Sequence, residues 1–385
     1  SSLPAVSDWD YNLSLFGKIR IPSDKNPPNW LSNVTTGQSF KLPLKPWWKI
    51  SDFNKEIGDI KFIWELSRMD WVLAFAQRAR NGNDYALVKL NDWLTDWVET
   101  NPTYAGPNWK CGQEASIRVI HLFCASMVLG QERNTSPALQ ELIKLHLLRI
   151  TPTIAYAIAQ NNNHGTTEAA ALFIGGTWLF SQGLEEGRNW QQIGRHWLEN
   201  RVKKLVASDG SFSQHSLNYH RMLLDTLSIA EICRKRLEQP AFSIFFYKKA
   251  SLSSSWLYQM ISAVTGDGPN LGANDGTKLL PLTDCDYRDY RPSVQLAMAL
   301  FQNCQAYEKN GLWDTHLLWL NVSKPTHKAP SLSNCNYDQG GYKILRFGNA
   351  SVFFRFPRFN FRPSQADALH VDLWVGEKNL LADAG

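Results

Sequence analysis

The sequence predicts a mainly α-helical fold, an (α/α) toroid or incomplete barrel of helical hairpins, followed by the start of an antiparallel β-sheet domain. Three observations predict it. Apolar residues recur at helical spacing in successive segments between about residues 52 and 320. Loops rich in Pro, Gly, Asn and Asp separate these segments. Near residue 333 the apolar spacing changes to the alternation typical of β-strands.

Six segments carry the helical pattern most clearly. They are residues 62–79, 86–100, 114–129, 138–158, 189–206 and 222–237. Similar lengths and short connections favour stacked helical hairpins, which form either an open solenoid or a closed toroid. The repeat is too loose to identify a solenoid family, whereas a toroid would gather the polar loops around one cleft. Strands do not alternate with the helices, which disfavours a doubly wound sheet.

The C-terminal segment predicts two β-hairpins. YKILRF (342–347) and ASVFFRF (350–356) are joined by Gly348-Asn349, a hairpin signal, and the run from 370 to 385 has Gly376-Glu377 near its turn. We therefore divide the chain into a toroid domain, 1–330, and the beginning of a β-sandwich-like domain, 331–385, which we expect to be truncated at Gly385. So few strands form no sandwich core of their own. Either the chain continues, or the strands pack against the helices.

Composition excludes several classes of protein. The net charge of +5 is mild and no long Lys/Arg run occurs, so we expect no nucleic-acid partner. No apolar run is long enough to predict a membrane span. The six cysteines lack metal-site spacing, which predicts free thiols, no metal and no cofactor. Most of the sixteen tryptophans are expected in the core, and a few could stack on sugar rings.

The stretch NNNHGTTEAAAL (161–172) interrupts a helical pattern. Asn competes for backbone groups and costs roughly 0.5 kcal/mol relative to Ala inside a helix. The break would let Asn163 and His164 project from a helix–helix junction, with Asn161 and Asn162 as junction residues. Taken alone, the stretch is equally well interpreted as turn and cap residues.

Two further segments carry candidate chemistry. In QHSLNYH (214–220), His215 and Tyr219 are spaced to share a helix face, and a tyrosine beside a histidine suits proton transfer. A core tyrosine is the alternative. In RPSQADALHVDLW (362–374), the planar fork of Arg362 suits a carboxylate or sulfate, and His370 begins a strand. A surface loop followed by a core strand explains the same residues.

Two other features have simpler interpretations. The Gly- and Asn-rich run 266–282 matches neither a phosphate loop nor a calcium loop, and we interpret it as an ordered loop on a cleft rim. Glu114 and Arg118 are four residues apart, which favours a helix-stabilising ion pair.

Taken together, these segments resemble the heparinase II/III-like polysaccharide lyases, a family that includes heparan sulfate lyases and oligoalginate lyases. The resemblance extends over nearly the whole chain and is carried by the order and spacing of seven motifs. These are DIKFIWELSR (59–68), WKCGQEASIR (109–118), NNNHGTTEAAAL (161–172), QHSLNYH (214–220), NDG (274–276), GGYKILR (340–346) and RPSQADALHVDLW (362–374). It implies a toroid followed by a β-sheet domain, with the active site between them.

The resemblance also implies site residues. The matching catalytic positions are Asn163, His164, Tyr219 and His370. The family often has an acid where Gln214 stands, and a further tyrosine after LLADAG, beyond Gly385. Candidate substrate contacts within the motifs are His220, Arg118, Glu114, Arg362 and Asn274.

The implied reaction is β-elimination on an acidic polysaccharide or oligosaccharide that contains uronic acid. Asn and His would neutralise the uronate carboxylate, and Tyr and His would transfer protons. No cofactor or metal is needed. One alternative is an (α/α)-barrel glycoside hydrolase using two carboxylates chosen from Glu114, Glu168 and Asp209. Another is a non-catalytic protein that binds acidic glycans.

The resemblance favours a bacterial periplasmic or secreted protein. The N-terminus shows no signal peptide, so a cytoplasmic location stays open, because a cleaved signal would leave no trace. No feature indicates an oligomeric state, a particular uronic polymer, or endo rather than exo action.

Overall fold

The computed structural model describes residues 4, 6–7, 13–15, 19–21, 26–361 and 367–383. The chain divides into two compact units. The first comprises Ser1–Ala157 and Thr167–Arg195, and the second comprises Ile158–Thr166 and His196–Gly385. This division differs from the predicted boundary near residue 330, because the C-terminal sheet belongs to the same unit as the later helices.

The first unit is built mainly from helical hairpins. Its elements are β1 (Leu13–Leu15), β2 (Ile19–Ile21), β3 (Phe53–Asn54), β4 (Gly58–Asp59), α1 (Lys61–Ser67), α2 (Asp70–Arg80), α3 (Asp84–Thr100), α4 (Gly112–Leu129) and α5 (Pro137–Ile150). The strands pair as two antiparallel hairpins, β1 with β2 and β3 with β4. Three helices that follow contain residues of both units: α6 (Ile154–Ala159), α7 (Asn163–Ser181) and α8 (Gly187–Leu205).

Helix boundaries follow the local chemistry of the chain. The predicted helix 62–79 is in fact two helices, because Met69 has a left-handed φ of 64° that separates α1 from α2. The predicted helix 138–158 is also divided, since the 3-10 turn Thr151–Thr153 contains Pro152, which has no N–H to donate. Ser136 caps α5 by accepting a hydrogen bond from the backbone N–H of Leu139.

Glycines let α7 and α8 approach each other closely within the first unit. A Cβ added at Gly176 would lie 2.4 Å from the backbone nitrogen of Gln191. A Cβ at Gly194 would lie 2.2 Å from the backbone nitrogen of Phe173. The two backbones are therefore in contact, and any side chain at these positions would separate the helices.

Tryptophans form much of the core of the first unit. Trp30, Trp71 and Trp93 are each at most 2% exposed, and their ring centroids lie 5.4–5.9 Å apart. Their mutual angles are tilted or edge-on, the arrangement favoured by aromatic quadrupoles. The expectation that tryptophan supplies core packing is confirmed for this cluster, while Trp48 is 62% exposed.

One helical stretch among the described residues, Pro137–Ala159, is long and apolar enough by length and composition to cross a membrane. The sequence predicted no such stretch. Core helices of soluble proteins pass the same test, so this is weak evidence for a membrane span. In its most apolar window 33% is buried, and within the stretch His146 and Arg149 are hydrogen-bonded to Arg118 and to the carbonyl of Trp109, respectively.

The second unit combines helices with one antiparallel sheet. Its helices are α9 (Leu217–Arg236), α10 (Ile244–Met260), α11 (Arg291–Gln302) and α12 (Thr315–Trp319). Its strands are β5 (Cys335–Tyr337), β6 (Tyr342–Phe347), β7 (Ala350–Arg355), β8 (Val371–Val375) and β9 (Lys378–Leu381). The strands follow one another in chain order across the sheet. Both predicted hairpins, β6–β7 and β8–β9, are confirmed.

The inner face of this sheet shares a hydrophobic core with the helices of the second unit. Ile344 and Phe353 are register partners on that face, and both are buried. They belong to one cluster with Leu217 of α9, Trp256 of α10 and Val294 of α11. The strands therefore pack against the helices of their own unit.

Candidate active site

Within the second unit, the first turn of α7 is joined to the segment that precedes α9. The backbone N–H of Asn163, the first residue of α7, donates to Gln214 Oε1 at 2.9 Å. In return, Gln214 Nε2 donates to Asn163 Oδ1 at 3.1 Å. Gln214 stands three residues before α9, so this reciprocal pair brings the starts of α7 and α9 together. The positive ends of two helix dipoles therefore lie close to each other.

The other asparagines of the opening motif shape the junction. Asn161 has a left-handed φ of 51°, and its Oδ1 accepts a hydrogen bond from Arg201 Nη1 at 3.2 Å. Asn162 Oδ1 accepts from the backbone N–H of His164 at 3.0 Å, which satisfies a helix-start donor. Both residues thus hold the turn that places Asn163 and His164 in the first turn of α7.

The amide of Asn163 retains donor capacity. The side chain is buried, with Oδ1 committed to Gln214, so the amide orientation is fixed. Its nitrogen contacts Met222 Sδ at 3.6 Å, and a thioether is a weak acceptor. The amide N–H groups are therefore suited to a stronger acceptor such as a carboxylate. His164, the next residue, is half-buried.

Tyr219 lies in the first turn of α9 and is hydrogen-bonded to an acid. Ser216 caps the helix, and its hydroxyl accepts from the backbone N–H of Tyr219 at 3.2 Å. The phenol of Tyr219 donates to Asp275 Oδ2 at 2.7 Å. Asp275 itself is exposed. This pairing was not predicted from the sequence.

The loop that carries Asp275 is fastened to the start of α9. Ser216 Oγ donates to the carbonyl of Ala273 at 2.6 Å, and Leu217 N donates to the carbonyl of Leu271 at 3.2 Å. Further along α9, Arg221 donates to the carbonyls of Thr277 and Tyr287 at 3.0 and 2.7 Å. The segment from 271 to 287 is therefore held at several points along one helix.

His215 is a structural residue in this arrangement. It lies before α9 with a left-handed φ of 52°, so the prediction that it shares a helix face with Tyr219 is wrong. Its Nδ1 is 3.0 Å from the hydroxyl of Tyr342, and the side chain is buried. Burial, with a smaller effect of the Arg355 charge, lowers its pKa to about 4. The imidazole is therefore neutral at physiological pH.

His370 is positioned by the backbone of the neighbouring strand. Its carbonyl accepts from Arg355 N at 3.0 Å, and it directly precedes β8. The side chain of Arg355 forms a buried ion pair with Asp367, whose Oδ2 also accepts from Gly272 N at 3.1 Å. This ion pair links the segment with His370 to the loop with Asp275.

The side chain of His370 lies near a buried acid. Its Nε2 is 3.7 Å from Asp372 Oδ2, too long for a hydrogen bond. Asp372 is fully buried and accepts from the indole of Trp374 at 2.5 Å. Burial raises the pKa of Asp372. Among the described residues, the buried His370 Nε2 has no hydrogen-bond partner.

The structure places three of the predicted substrate contacts in the interior. His220 stacks on Trp256 with ring centroids 4.4 Å apart, and its Nε2 is 2.9 Å from the carbonyl of Ser253. Arg118 is fully buried and donates to His146 Nε2 at 2.8 Å. We reassign both side chains to structural roles, because neither is exposed to a ligand.

Glu114 is likewise reassigned. It forms a two-point ion pair with Arg68, at 2.8 and 3.0 Å, instead of the predicted pair with Arg118. Only 3% of Glu114 is exposed. The α1–α4 contact therefore satisfies this carboxylate.

Two predicted substrate contacts remain, Asn274 and Arg362, and only Asn274 lies in the part of the chain that the structure describes. Asn274 is exposed, donates to Asn270 Oδ1 at 3.2 Å and accepts a hydrogen bond from the phenol of Tyr287. Arg362 lies outside the described residues.

Two of the three carboxylates considered for a glycoside hydrolase, Asp209 and Glu114, have structural partners. Asp209 Oδ2 accepts from the backbone N–H groups of Gln339 and Gly340 at 2.8 and 3.0 Å. Glu168 is buried against Gly112, where an added Cβ would lie 2.6 Å from its Oε2. Glu114 is paired with Arg68. These placements disfavour the paired-carboxylate alternative.

Within the described part of the chain, no group of three or more His, Cys, Asp and Glu side chains is arranged to hold a metal ion. The six cysteines are free thiols, as predicted.

A family model described as Heparinase II/III N-terminus matches residues 38–255, more than half of the chain. The chain belongs to this heparinase II/III family. The heparinase II/III match includes Asn163, His164 and Tyr219 and ends before Asp275 and His370. No curated protein sequence matches the chain.

Solved structures show the same fold. The crystal structure of heparinase III matches with a TM-score of 0.58 and 16% identity, over 88% of this chain and 52% of that one. The heparan sulfate lyase HepC from Pedobacter heparinus matches with a TM-score of 0.53 and 19% identity, over 96% and 58%. This chain therefore spans about half the length of the heparinase II/III structures it matches. The predicted fold class, a helical toroid followed by an antiparallel sheet, is confirmed.

Proposed function

We propose that the protein is a polysaccharide lyase that cleaves a polymer containing uronic acid by β-elimination. One observation carries the proposal. Gln214, three residues before α9, holds the first turn of α7 with Asn163 next to the start of α9, whose first turn carries Tyr219. An amide donor for a carboxylate and a proton-transfer group are the two components that the reaction requires.

Carboxylate recognition is the first requirement of the chemistry. The proton on C5 of a uronate is weakly acidic, because the adjacent carboxylate is already negative and proton removal adds charge there. Hydrogen bonds that strengthen as this charge develops lower the barrier. Asn163 and His164, in the first turn of α7, would supply them, and the positive end of the helix dipole favours the same anion.

Proton transfer is the second requirement. We assign the two proton transfers to Tyr219 and His370. One of them removes the C5 proton and the other protonates the C4 oxygen. The configuration at C5 decides which face of the sugar each group must occupy, because that configuration sets the side from which the proton leaves. The contacts of Glu114 with Arg68, and of Asp209 with the backbone N–H groups of Gln339 and Gly340, disfavour hydrolysis by these two carboxylates and support elimination.

The comparisons support one substrate class as the first to test. The matched structures are described as heparinase III and a heparan sulfate lyase, so we propose heparan-type chains as the first substrate to test. Alginate and other uronate polymers are the second group, because the C5–H and C4–O bonds are the same. Elimination leaves an unsaturated sugar that absorbs ultraviolet light, whereas hydrolysis does not.

The test is a screen of uronic polysaccharides read by ultraviolet absorbance. We expect an absorbing product with at least one polymer, and a loss of about 100-fold or more in kcat for Tyr219→Phe and for Asn163→Ala. Tyr85→Phe, which alters an exposed tyrosine of the first unit, is the matched control. Depolymerisation without ultraviolet absorbance would contradict the proposal. Binding without cleavage would instead favour a non-catalytic glycan-binding protein.

A further inference from the structure

We propose that Asp275 is a proton-relay residue that receives the phenolic proton of Tyr219 while Tyr219 removes the C5 proton of the substrate. The inference rests on the proposed lyase function and deepens it, because it assigns Tyr219 as the base. It begins from the 2.7 Å hydrogen bond that Tyr219 donates to Asp275 Oδ2.

The two oxygens of Asp275 have different partners. Oδ1 accepts from the hydroxyl of Thr277 at 2.8 Å and from Asn218 Nδ2 at 3.4 Å. Oδ2 faces Tyr219. The loop contacts therefore orient the carboxylate through one oxygen and direct the other to the phenol.

The backbone of the loop that carries Asp275 fixes the distance between Asp275 and Tyr219. Gly272 has a φ of 68°, and a Cβ there would lie 2.2 Å from the carbonyl oxygen of His215. The loop can pass this close to the start of α9 only with glycine at that position. Anchors on both sides, at Ala273 and Thr277, hold the segment that carries Asp275 against α9.

The direction of the hydrogen bond decides the chemistry. Because the phenolic proton points at Asp275, the lone pairs of the phenolic oxygen point elsewhere and can accept a proton. A phenol whose proton is already shared with a carboxylate can act as a base without forming a free phenolate. Tyr219 is therefore oriented as a proton acceptor towards a substrate.

The step balances in atoms and charge. The C5 proton moves to the phenolic oxygen of Tyr219 while the phenolic proton moves to Asp275. The electron pair of the C5–H bond forms the C4–C5 double bond, the C4–O bond breaks, and the departing oxygen takes a proton from His370. Asp275 is exposed, so the protonated carboxyl can pass its proton to water. His370 regains its proton from solvent.

The test compares variants of Asp275 in the same ultraviolet assay. We expect Asp275→Ala to lower kcat about 100-fold with KM changed less than about twofold, because the relay acts on proton transfer and not on binding. Added formate or acetate should restore activity to Asp275→Ala in proportion to concentration, since a small carboxylate can enter the vacated, exposed position. It should not restore Tyr219→Phe.

Asp286→Asn is the matched control. Asp286 is an exposed acid of the same segment that accepts from the backbone N–H of Arg288 at 2.7 Å, and the substitution makes the same change in charge. We expect wild-type rates for it. Thermal unfolding should be the same for all variants, because Asp275 is exposed.

The possible results separate the two proposals. Wild-type kcat in Asp275→Ala, or a defect that no carboxylate rescues, overturns the relay while leaving the lyase intact. A wild-type protein that produces no unsaturated sugar from any uronate polymer overturns both.

Discussion

Burial of His220 predicts that acid destabilises the second unit. The imidazole is 1% exposed, and burial lowers its pKa from 6.5 to about 4. Between these values the unfolded chain binds a proton that the folded chain does not, so stability falls as the pH decreases. The contribution is complete above pH 6.5 and is lost progressively as the pH falls to 4.

The size of this loss in unfolding free energy follows from the change in the pKa of His220. The lowering of the His220 pKa from 6.5 to about 4 corresponds to about 3 kcal/mol, most of which is already lost at pH 4.5. Replacing His220 by Phe keeps a ring against Trp256 and removes the titrating group. The variant loses the hydrogen bond to the carbonyl of Ser253, so it should be less stable than wild type at pH 7 by about 1 kcal/mol.

Urea titration at pH 7 and pH 4.5, followed by tryptophan fluorescence, measures the effect. The fall in unfolding free energy between the two pH values should be smaller in His220→Phe than in wild type by about 2 kcal/mol. His327→Phe, at an exposed position, controls for the loss of a histidine. Parallel falls in wild type and His220→Phe would refute the reasoning.

Three other substitutions test the framework of the site and are read by thermal unfolding. Gln214→Glu replaces the donor to Asn163 Oδ1 by a carboxylate oxygen, which should cost about 1–3 kcal/mol; an unchanged Tm would contradict the geometry. Gly176→Ala should separate α7 from α8 and cost about 1–3 kcal/mol. Arg355→Met leaves Asp367 buried without its charge partner and should cost about 3–5 kcal/mol, most of it recovered by adding Asp367→Asn.

Sequence patterns predicted helices and strands correctly where neighbouring residues alone determine the backbone conformation. The strands β6 and β7 follow from two β-rich runs around Gly348-Asn349, and α3 follows from its apolar spacing and the Asn83 cap. The division at Met69 was missed because its left-handed φ is imposed by packing, and no sequence signal marks it.

The candidate site was only partly predictable, because contacts between distant segments of the chain leave no local sequence pattern. Asn163 and Tyr219 stand in recognisable motifs, but their partners Gln214 and Asp275 are 51 and 56 residues away in the chain. The sequence predicts Asn274 of the NDG motif as a substrate contact. In the structure it is the next residue of that motif, Asp275, that contacts Tyr219. The burial of Arg118 could not be predicted from periodicity, because its acceptors, His146 Nε2 and the carbonyl of Asn108, lie outside its own helix.

The contact between His215 and Tyr342 has a consequence for biosynthesis. It joins residues 127 positions apart, and the Asp209 contacts to Gln339 and Gly340 span about the same distance. A ribosome releases the chain from its N-terminus, so the helices emerge long before these partners exist. The turn before α9 therefore cannot form its contacts with Tyr342, Gln339 and Gly340 until the sheet has been synthesised. The Tyr219–Asp275 pair, which lies next to this turn, is fully stabilised only late in synthesis. Nascent chains halted before residue 342 should expose this region to proteases while the tryptophan-rich first unit resists them.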